Sequence, residues 1–398
     1  MAGTIPEPET SGQHQDHMTI AGIGAVTGYG WGRETLWEGL LSGKPAARLF
    51  PGYGPERDRN GWVARVPEGG DPELPDSRYI RAVLGAAREA VADAIERGWR
   101  RGRTVGLLHA IVLGNTYEWR DFYTVDGGKR RSRDYLRLLP STPVAMVMSE
   151  FGFHGPAMNV TAACSSSNVA MMTAQMWLRQ GIADDVLVIA TDLSAIPEMV
   201  QPFVAVGAAV DDTDPLDACR PFQEGSRGFG FGEASVAFVM SREVDRPYAA
   251  VLGGGMSNDG YHVISVDPTH EQIFDCVRRA LASADVRPEE VAYLNTHGSG
   301  TAQCDAAETA LLARLFGDRP QVVAIKPLAG HCQAASAGVE LIAAALGYER
   351  DLLVSAPIVA PAHPRLLDGV RRGVDGITVK TALGMGGHNS ALVLGPVG

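Results

Sequence analysis

The 398-residue sequence has few cysteines and no long apolar run. Its five cysteines are odd in number, widely spaced and without a CxxC pair, which argues against a disulfide framework and against a zinc site. No segment approaches the roughly 18 consecutive apolar residues that a membrane helix needs. We therefore expect free thiols, no metal site and no membrane span.

Basic residues are in deficit, because 35 Lys and Arg stand against 46 Asp and Glu, for a formal net charge of -11. This balance disfavours a broad nucleic-acid surface, since neutralising phosphates requires basic density. Two local basic clusters remain, RGWRRGR around Arg100 and KRRSR around Arg130. Each is either a solvated loop or helix end, or a docking surface for an acidic partner.

The first 17 residues, MAGTIPEPETSGQHQDH, are polar and lack the apolar centre of a secretory signal. We interpret residues 1–17 as a disordered tail. We expect the protein to be cytoplasmic.

Apolar runs alternate with helical periodicity along the rest of the chain, and the alternation restarts near Tyr248. Continuous apolar strands that alternate with helices indicate sheets covered on both faces. The sequence therefore predicts an α/β fold that is internally duplicated, with one half at residues 18–245 and the other at 246–398. Residues 51–76, rich in Gly, Pro and charge, are interpreted as a surface excursion. The predicted strands are 18–26, 104–114, 185–192, 248–257, 291–298, 321–327, 376–387 and 390–395, and the main predicted helices are 78–98, 168–181, 271–284, 305–317 and 336–350.

One cysteine, Cys164, stands in the stretch NVTAACSSSNVAMM, between a strand-like approach and the predicted start of a helix. Serines favour helix starts because their hydroxyls satisfy free N–H groups, and three of them follow the cysteine. Unpaired N–H groups and the helix dipole favour thiolate over thiol, so we expect Cys164 to be an acidic nucleophile. Cysteine is also among the most often buried residues, so a buried filler remains the alternative.

Two histidines each follow an apolar strand beside glycine. His297 begins the loop of YLNTHGSGT, and His331 closes VVAIKPLAGH, five residues after Lys326. Reactive groups collect at the carboxyl ends of strands in α/β sheets, although a lone histidine is more often structural. The later loop GMGGHN is either a tight turn or a source of backbone N–H groups for a developing oxyanion.

Five ordered segments together resemble the β-ketoacyl synthases, the elongating ketosynthases of fatty-acid and type II polyketide systems. AACSSS is similar to the nucleophile motif, NTHGSGT to the first histidine motif, and KPLAGH to the lysine and second histidine motif. CRPFQEGSRGFGFGEAS and GMGGHN resemble two further family segments, and the similarity runs from about Met18 to Leu394. The resemblance implies the thiolase fold, a duplicated five-layered α-β-α-β-α architecture.

The resemblance also implies roles for matching residues. Cys164 would accept an acyl chain from a carrier-protein thioester. His297 and His331 would stabilise the enolate that forms when malonyl thioester loses carbon dioxide. Lys326 would hold the electrostatics and geometry of the histidine pair, with Glu308 as a supporting hydrogen-bonding residue.

Substrate binding is implied for a second set of residues. Backbone N–H groups of Cys164 and Met385 would form the oxyanion hole, and no cofactor or metal would be bound apart from the phosphopantetheine arm of the carrier. Met385 stands where the family usually has a gating phenylalanine, Pro327 replaces a serine, and Asn168 occupies a usually small position, which suggests a specialised synthase. The predicted substrate-binding residues are Ser299, Thr301, Asn168, Met385, Gly386 and Gly387.

Three classes of function follow from this pattern. The first is decarboxylative condensation of a cysteine-bound acyl chain with a malonyl carrier protein, in fatty-acid or specialised polyketide biosynthesis. The second is a catalytically silent partner that resembles a chain-length factor, although such a partner typically lacks the cysteine. The third is a non-elongating cysteine acyltransferase or hydrolase of the same fold. A thiolase is disfavoured because His388 stands in the C-terminal loop, which has no cysteine.

Partners are implied by the same resemblance. Acyl carrier proteins are acidic, so the clusters around Arg100 and Arg130 are candidate docking surfaces. Pairing through the nucleophile half is expected, as a homodimer or as a heterodimer with a related chain. Neither nucleic acid nor membrane is expected as a partner.

Overall fold

The computed structural model describes residues 18–73, 77–124 and 132–397, without the side chains of 132 and 133. Its strands are β1 (Met18–Thr27), β2 (Gly30–Trp31), β3 (Arg48–Tyr53), β4 (Arg59–Ala64), β5 (Val105–Ala110), β6 (Ala157–Val160), β7 (Asp185–Asp192), β8 (Phe231–Gly232), β9 (Ala234–Ser241), β10 (Ala250–Asn258), β11 (Val291–Asn295), β12 (Gln321–Val323), β13 (Leu352–Val354), β14 (Val370–Arg372), β15 (Ile377–Gly384) and β16 (His388–Gly395).

Helices fill the connections between these strands, together with two short 3-10 helices at Pro288–Glu290 and Gln333–Ala335. None of the helices in the described part of the chain is long and apolar enough to cross a bilayer. The α-helices are α1 (Arg33–Leu41), α2 (Arg78–Glu96), α3 (Thr116–Thr124), α4 (Ser132–Leu136), α5 (Ser141–Phe151), α6 (Ser166–Arg179), α7 (Pro197–Ala205), α8 (Pro215–Ala218), α9 (Glu271–Ser283), α10 (Ala302–Phe316), α11 (Lys326–Ala329) and α12 (Ser336–Arg350).

The main sheet repeats one strand order twice. Its first half runs β6-β5-β7-β9-β1 and its second half runs β12-β11-β15-β16-β10. Numbered within its own half, each set has the order third, second, fourth, fifth, first, with the same pattern of parallel and antiparallel neighbours. The halves join where β1 pairs with β10 at only two positions, Met18 with Val251 and Thr19 with Ala250.

Helices lie between and outside the two halves of the sheet. The inner helices α6 and α12 contact each other, and α6 packs on both β5 and β7 of the first half and β10 and β16 of the second. On the outer faces, α2 packs on β1 and β9, while α9 packs on β10 and β16. The five layers confirm the predicted α-β-α-β-α architecture. The division at residue 245 itself stays a prediction.

Glycines let the outer helices approach their strands closely, and the device occurs in both halves. A Cβ at Gly24 of β1 would lie 2.1 Å from the carbonyl oxygen of Ala86 in α2. A Cβ at Gly255 of β10 would lie 2.3 Å from the carbonyl oxygen of Cys276 in α9. Any larger residue at these positions would push the helix off the sheet.

The structure corrects the sequence interpretation in three places. The predicted strand 321–327 is shorter than expected, because β12 ends at Val323 and α11 begins at Lys326. Residues 51–76 are not only a surface excursion, because they contribute to β3 and supply β4, which form a three-stranded sheet with β8. Gly52 and Pro51 hide the strand pattern there. The sequence interpretation also missed β9, whose residues are all buried in the middle of the first half of the sheet.

Candidate active site

Cys164 lies just before α6, in a sharp turn that follows β6. The preceding Ala163 has a positive φ of 48°, a left-handed conformation that is uncommon for a residue with a side chain. The hydroxyl oxygen of Ser165 lies 2.6 Å from the carbonyl oxygen of His388 and 2.9 Å from that of Ala382, and its one proton is shared between the two acceptors. These bonds tie the cysteine turn of the first half to β15 and β16 of the second.

Burial raises the pKa of the Cys164 thiol to about 12. The positive charge of Lys326 and the backbone N–H groups of Met385 and of Cys164 itself act in the opposite direction. The expectation of an acidic thiol is therefore wrong for this structure, because desolvation outweighs the donors around the sulfur. The same two N–H groups converge where the oxyanion hole was predicted.

His297 is buried at the start of the loop after β11, and Glu308 holds that loop from α10. The N–H groups of His297 (2.7 Å) and Gly298 (2.9 Å) donate to the two carboxylate oxygens of Glu308. The hydroxyl of Thr381 also donates to Glu308, at 2.6 Å. Glu308, whose pKa is raised by burial, therefore supports the loop and does not itself line the cavity described below.

His331 is buried between α11 and the 3-10 helix that follows. Its N–H donates to the carbonyl oxygen of Gly230 (2.7 Å), and its carbonyl accepts from the N–H of Gly232. The N–H of Gln333 donates to the ring Nδ1 at 3.1 Å. Because Nδ1 accepts that bond, we place the proton of the neutral ring on Nε2, which leaves an N–H donor for a substrate oxygen.

The two imidazoles lie edge to face at one site, with ring centroids 5.5 Å apart and an interplanar angle of 79°. Burial, and then the positive charge of Lys326, hold the pKa of both histidines well below the ordinary range. The ring of His331 also packs on Phe229, at 4.5 Å between centroids. Both histidines are therefore neutral hydrogen-bond donors near neutral pH.

A buried charge cluster lies behind the histidine pair. The ammonium of Lys326 donates to the carbonyl oxygen of His297 and pairs with Glu340 Oε1 at 2.5 Å. The ammonium of a second buried lysine, Lys380, pairs with Glu340 Oε2 at 2.8 Å and donates to the carbonyl oxygen of Thr296 at 3.0 Å. Two lysines thus share one carboxylate and bind the backbone that carries His297.

One cavity of about 310 Å³ brings the predicted residues together. Cys164, His297 and His331 all line it. Lys326 lies behind its wall. The other predicted residues on the cavity surface are Ser299, Thr301, Met385 and Gly387.

Asn168 and Gly386 are not among the described residues that line this cavity. Asn168 is fully buried in α6, where its amide donates to the carbonyl oxygen of Lys380 at 3.3 Å. The structure therefore places Asn168 in the interior, beside the charge cluster. Gly386 has a φ of 81° and forms the turn between β15 and β16.

The sequence interpretation missed several residues of the site. Lys380 is the single charge of β15, and Glu340 is the one charge among the first 13 residues of α12, which is the signal that could have found them. Gln333 and Cys304 line the cavity, and they follow the predicted motifs by only a few residues.

The described residues contain neither a disulfide nor a cluster of metal-ligating side chains. All five cysteines are free. Among residues 18–73, 77–124 and 132–397, no group of three or more His, Cys, Asp or Glu side chains is arranged to hold a metal ion.

The two basic clusters differ in what the structure describes of them. Arg100 pairs with Asp245 (2.5 Å) and Glu243 (3.3 Å), and Arg97 pairs with Asp93. Local carboxylates therefore neutralise much of the first cluster. The second cluster, residues 129–133, lies outside the residues whose side chains are described.

A cysteine thiol, two neutral imidazoles and converging backbone N–H groups in one cavity define a cysteine acyltransferase site on a duplicated α/β scaffold. The chain belongs to the β-ketoacyl synthase family: residues 15–246 match the N-terminal domain of the family and residues 248–357 match its C-terminal domain. The resemblance drawn from the five motifs is confirmed.

Similar proteins come from polyketide and fatty-acid systems. The oxytetracycline polyketide β-ketoacyl synthase 1 of Streptomyces rimosus is 30% identical over 409 residues, with 95% of this chain and 96% of that protein covered. The 3-oxoacyl-[acyl-carrier-protein] synthase 2 of Staphylococcus aureus is 28% identical over 403 residues, covering 94% and 97%.

Solved structures share the fold. A type II polyketide ketosynthase, solved with its acyl carrier protein and bound to a hexaketide, has a TM-score of 0.84 at 22% identity, over 96% of this chain and 99% of that one. The ishigamide ketosynthase/chain length factor has a TM-score of 0.82 at 24% identity, over 96% and 99%. These likenesses confirm the thiolase fold.

Proposed function

We propose that this protein catalyses decarboxylative condensation between an acyl chain on Cys164 and a malonyl thioester held by an acyl carrier protein. The observation that carries the proposal is the single cavity that contains Cys164, His297 and His331. Carbon–carbon bond formation of this kind needs a nucleophile that is also a good leaving group, and a thiolate meets both demands. Relatives in polyketide systems favour a specialised polyketide pathway.

The first half-reaction loads the chain. The sulfur of Cys164 attacks the carbonyl carbon of the incoming thioester, and the carrier thiol leaves with the proton that Cys164 gives up. The N–H groups of Cys164 and Met385 stabilise the tetrahedral oxyanion. Because burial raises the pKa of the Cys164 thiol to about 12, the proton leaves during the attack and the resting residue is a thiol.

The second half-reaction builds the new bond. The malonyl group loses carbon dioxide, and its thioester carbonyl becomes an enolate oxygen that accepts hydrogen bonds from His297 and His331. The enolate carbon attacks the acyl carbonyl on Cys164, the Cys164 sulfur leaves and takes a proton from solvent, and the carrier retains a 3-oxoacyl chain two carbons longer. Removal of one donor of this kind lowers the catalytic rate by about 10²–10³-fold.

Polar side chains and a glycine turn at the cavity suit the phosphopantetheine arm of the carrier. The hydroxyls of Ser299 and Thr301 lie 3.0 Å apart and line the cavity. Gly386 and Gly387 form a turn with φ of 81° and 75° beside Met385, so the backbone there can approach the arm closely. The arm is the only cofactor chemistry in this proposal, and it belongs to the carrier.

An exposed sheet edge and the similar solved structures support pairing with another chain. β6 is an edge strand whose residues Ala157, Met158 and Asn159 are exposed, and an exposed edge is a template for pairing with another chain. Similar solved structures include a ketosynthase with its chain length factor. We propose a homodimer or a heterodimer with a related chain. We also propose a cytoplasmic location. Docking of the acidic carrier at the basic cluster KRRSR stays a prediction of the sequence.

The competing function is acyl transfer without elongation. It would use Cys164 and the oxyanion hole, and it would need neither His297 nor His331 as enolate donors. The silent-partner alternative is disfavoured because Cys164 is present in the cavity.

Intact-protein mass spectrometry tests the proposal. Wild type and a Cys164→Ala variant are incubated with acyl carrier protein that bears hexanoyl, and then with malonyl carrier protein. We expect an acyl adduct on the wild type alone, followed by a 3-oxo chain two carbons longer on the carrier. Acylation without elongation, also after addition of a candidate partner chain, would support the acyltransferase. No acylation by hexanoyl or by any other acyl carrier protein would support the silent partner.

A further inference from the structure

Gln333 presents a buried amide at the wall of the cavity. Its side chain is 3% exposed, and it lines the cavity together with Cys164 and His331. Its amide nitrogen Nε2 has no hydrogen-bond partner among the described residues. Its backbone has a positive φ of 47°.

The backbone of Gln333 is held firmly on both sides. Its N–H donates to the ring of His331 at 3.1 Å. The next N–H, of Ala334, donates to Asp192 at 2.8 Å, and the Ala334 carbonyl accepts from Ser167. The side chain therefore has a fixed starting point beside the cavity, which is what a recognition group needs.

A buried N–H donor without an acceptor costs free energy comparable to a lost hydrogen bond, so native proteins rarely leave one unpaired. No described residue offers this amide nitrogen an acceptor, and Phe229, which packs on the ring of His331, gives this part of the cavity an apolar surface. An acceptor brought by the substrate would satisfy the amide.

We propose that Gln333 selects acyl chains that carry an acceptor oxygen, so that this enzyme elongates oxygenated chains in preference to fully reduced ones. The inference rests on the proposed function, because each condensation leaves a keto oxygen on the third carbon of the chain. A chain that is not reduced between rounds presents such an oxygen at every second carbon. A saturated chain presents none, and leaves the amide unpaired.

The test compares acylation of Cys164 by carrier-protein thioesters of hexanoyl, 3-oxohexanoyl, 5-oxohexanoyl and 3-hydroxyhexanoyl. The initial rate of adduct formation is followed by intact-protein mass spectrometry for wild type and for Gln333→Met, which keeps the length of the side chain and removes the amide. Wild type should load at least one oxygenated chain about 10-fold faster than hexanoyl. The Met variant should lose that preference.

Control variants separate recognition from shape. Phe203→Leu alters the apolar wall of the same cavity, so it should change the rates of the saturated and oxygenated chains together. Comparison of the keto chains with the hydroxyl chain identifies which kind of oxygen accepts from the amide. Comparison of the 3-oxo and 5-oxo chains identifies how far that oxygen lies from the thioester.

Three results would overturn the inference. Equal loading of all four chains by the wild type would mean that the amide is satisfied by water. An unchanged preference in Gln333→Met would place selectivity elsewhere. An intact preference with slower malonyl decarboxylation would mean that the amide binds the extender carboxylate. Loading and elongation of hexanoyl would still uphold the proposed function in each case, whereas no loading of any chain would overturn both.

Discussion

The two halves of the molecule repeat one strand order and carry different chemistry. In the first half, the connection from β6 to α6 holds Cys164. In the second half, the matching connection from β12 to α12 holds Lys326 and His331, and the loop after β11 holds His297. The repeated scaffold brings the connections of both halves to one cavity. The strand order sets where reactive groups stand, and the loops set what they do.

Buried charge is also distributed unequally between the halves. The buried charged side chains of the described first half are all carboxyl groups, those of Asp93, Asp185, Asp192, Asp211 and Glu233. Asp192, at the end of β7, accepts hydrogen bonds from four backbone N–H groups. The second half buries Lys326 and Lys380 with Glu340 behind its two histidines. The positive charge of Lys326 acts on the Cys164 thiol and also lowers the pKa of both histidines, and Lys380 lowers the pKa of both histidines as well. Substitutions in either half, or where the two halves meet, should therefore have different effects.

Substitution of one reactive side chain at a time, first in one half and then in the other, should produce the largest effects. Cys164→Ala should abolish acyl-enzyme formation and condensation, yet retain decarboxylation of malonyl carrier protein, because His297 and His331 remain. His331→Ala should retain acylation and slow decarboxylation by about 100- to 1000-fold. Adduct mass and release of carbon dioxide measure the two activities separately. Loss of both activities in either variant, with the fold intact by circular dichroism, would contradict this division of labour.

The charge cluster should matter next, through the acid limit of activity. In Lys380→Met, His297 and His331 lose a cation that lowers their pKa. Protonation of His331 would place a proton on Nδ1, where the N–H of Gln333 now donates. Since the pKa of each ring rises in the variant, we expect the acid limb of the decarboxylation rate to move to higher pH.

A matched control for this prediction is Lys44→Met, which removes an exposed lysine. It should leave the pH profile unchanged. Lys380→Met should also lower the free energy of unfolding, by about 3–5 kcal/mol if Lys326 cannot compensate for the broken buried pair. A lower stability with an unshifted pH profile would mean that Lys380 has a structural role alone.

The sequence allowed much of this site to be predicted, for a physical reason. Cys164, His297 and His331 each follow an apolar run, and strand ends meet at one edge in such folds. Lys380 and Glu340 were missed because a single charge in an apolar segment resembles a surface charge until its partner is known. The pKa of Cys164 was mispredicted since burial depends on how the two halves pack. β9 was missed, although its eight residues are all buried, because its antiparallel neighbours lie far from it in the chain.

Asp192 connects the two halves by hydrogen bonds. Its loss should lower the stability of the protein, with a smaller effect than the substitutions above. Its carboxyl group accepts from the N–H groups of Val112 and Leu113 in the first half and of Ala334 in the second. Asp192→Asn keeps one acceptor oxygen and leaves buried donors unpaired, at about 1–3 kcal/mol each. We expect lower stability in urea unfolding.

The pH dependence of that loss has a defined sign. Burial raises the pKa of Asp192 to about 7, above the value near 4 of an unfolded carboxyl group. A group whose pKa is raised by folding stabilises the protein fully below its unfolded pKa and loses that contribution as pH rises through its folded pKa. Wild-type stability should therefore fall between about pH 4 and pH 7 through this residue, and Asp192→Asn should flatten that slope. An equal slope in both proteins would contradict the raised pKa.

The smallest effect is expected at Met385, where the loop of the second half meets the nucleophile of the first. Met385 lines the cavity, and its N–H lies near the Cys164 sulfur. Methionine is flexible and fills irregular space, whereas phenylalanine is rigid. Met385→Phe should therefore narrow the range of acyl chains that load Cys164, with longer chains losing more. Decarboxylation should change less, because it uses the two histidines. We would measure the loading rates of acyl carrier proteins with chains of four to twelve carbons, and the release of carbon dioxide. An identical chain-length profile in the variant would assign selectivity to the cavity wall and not to this loop.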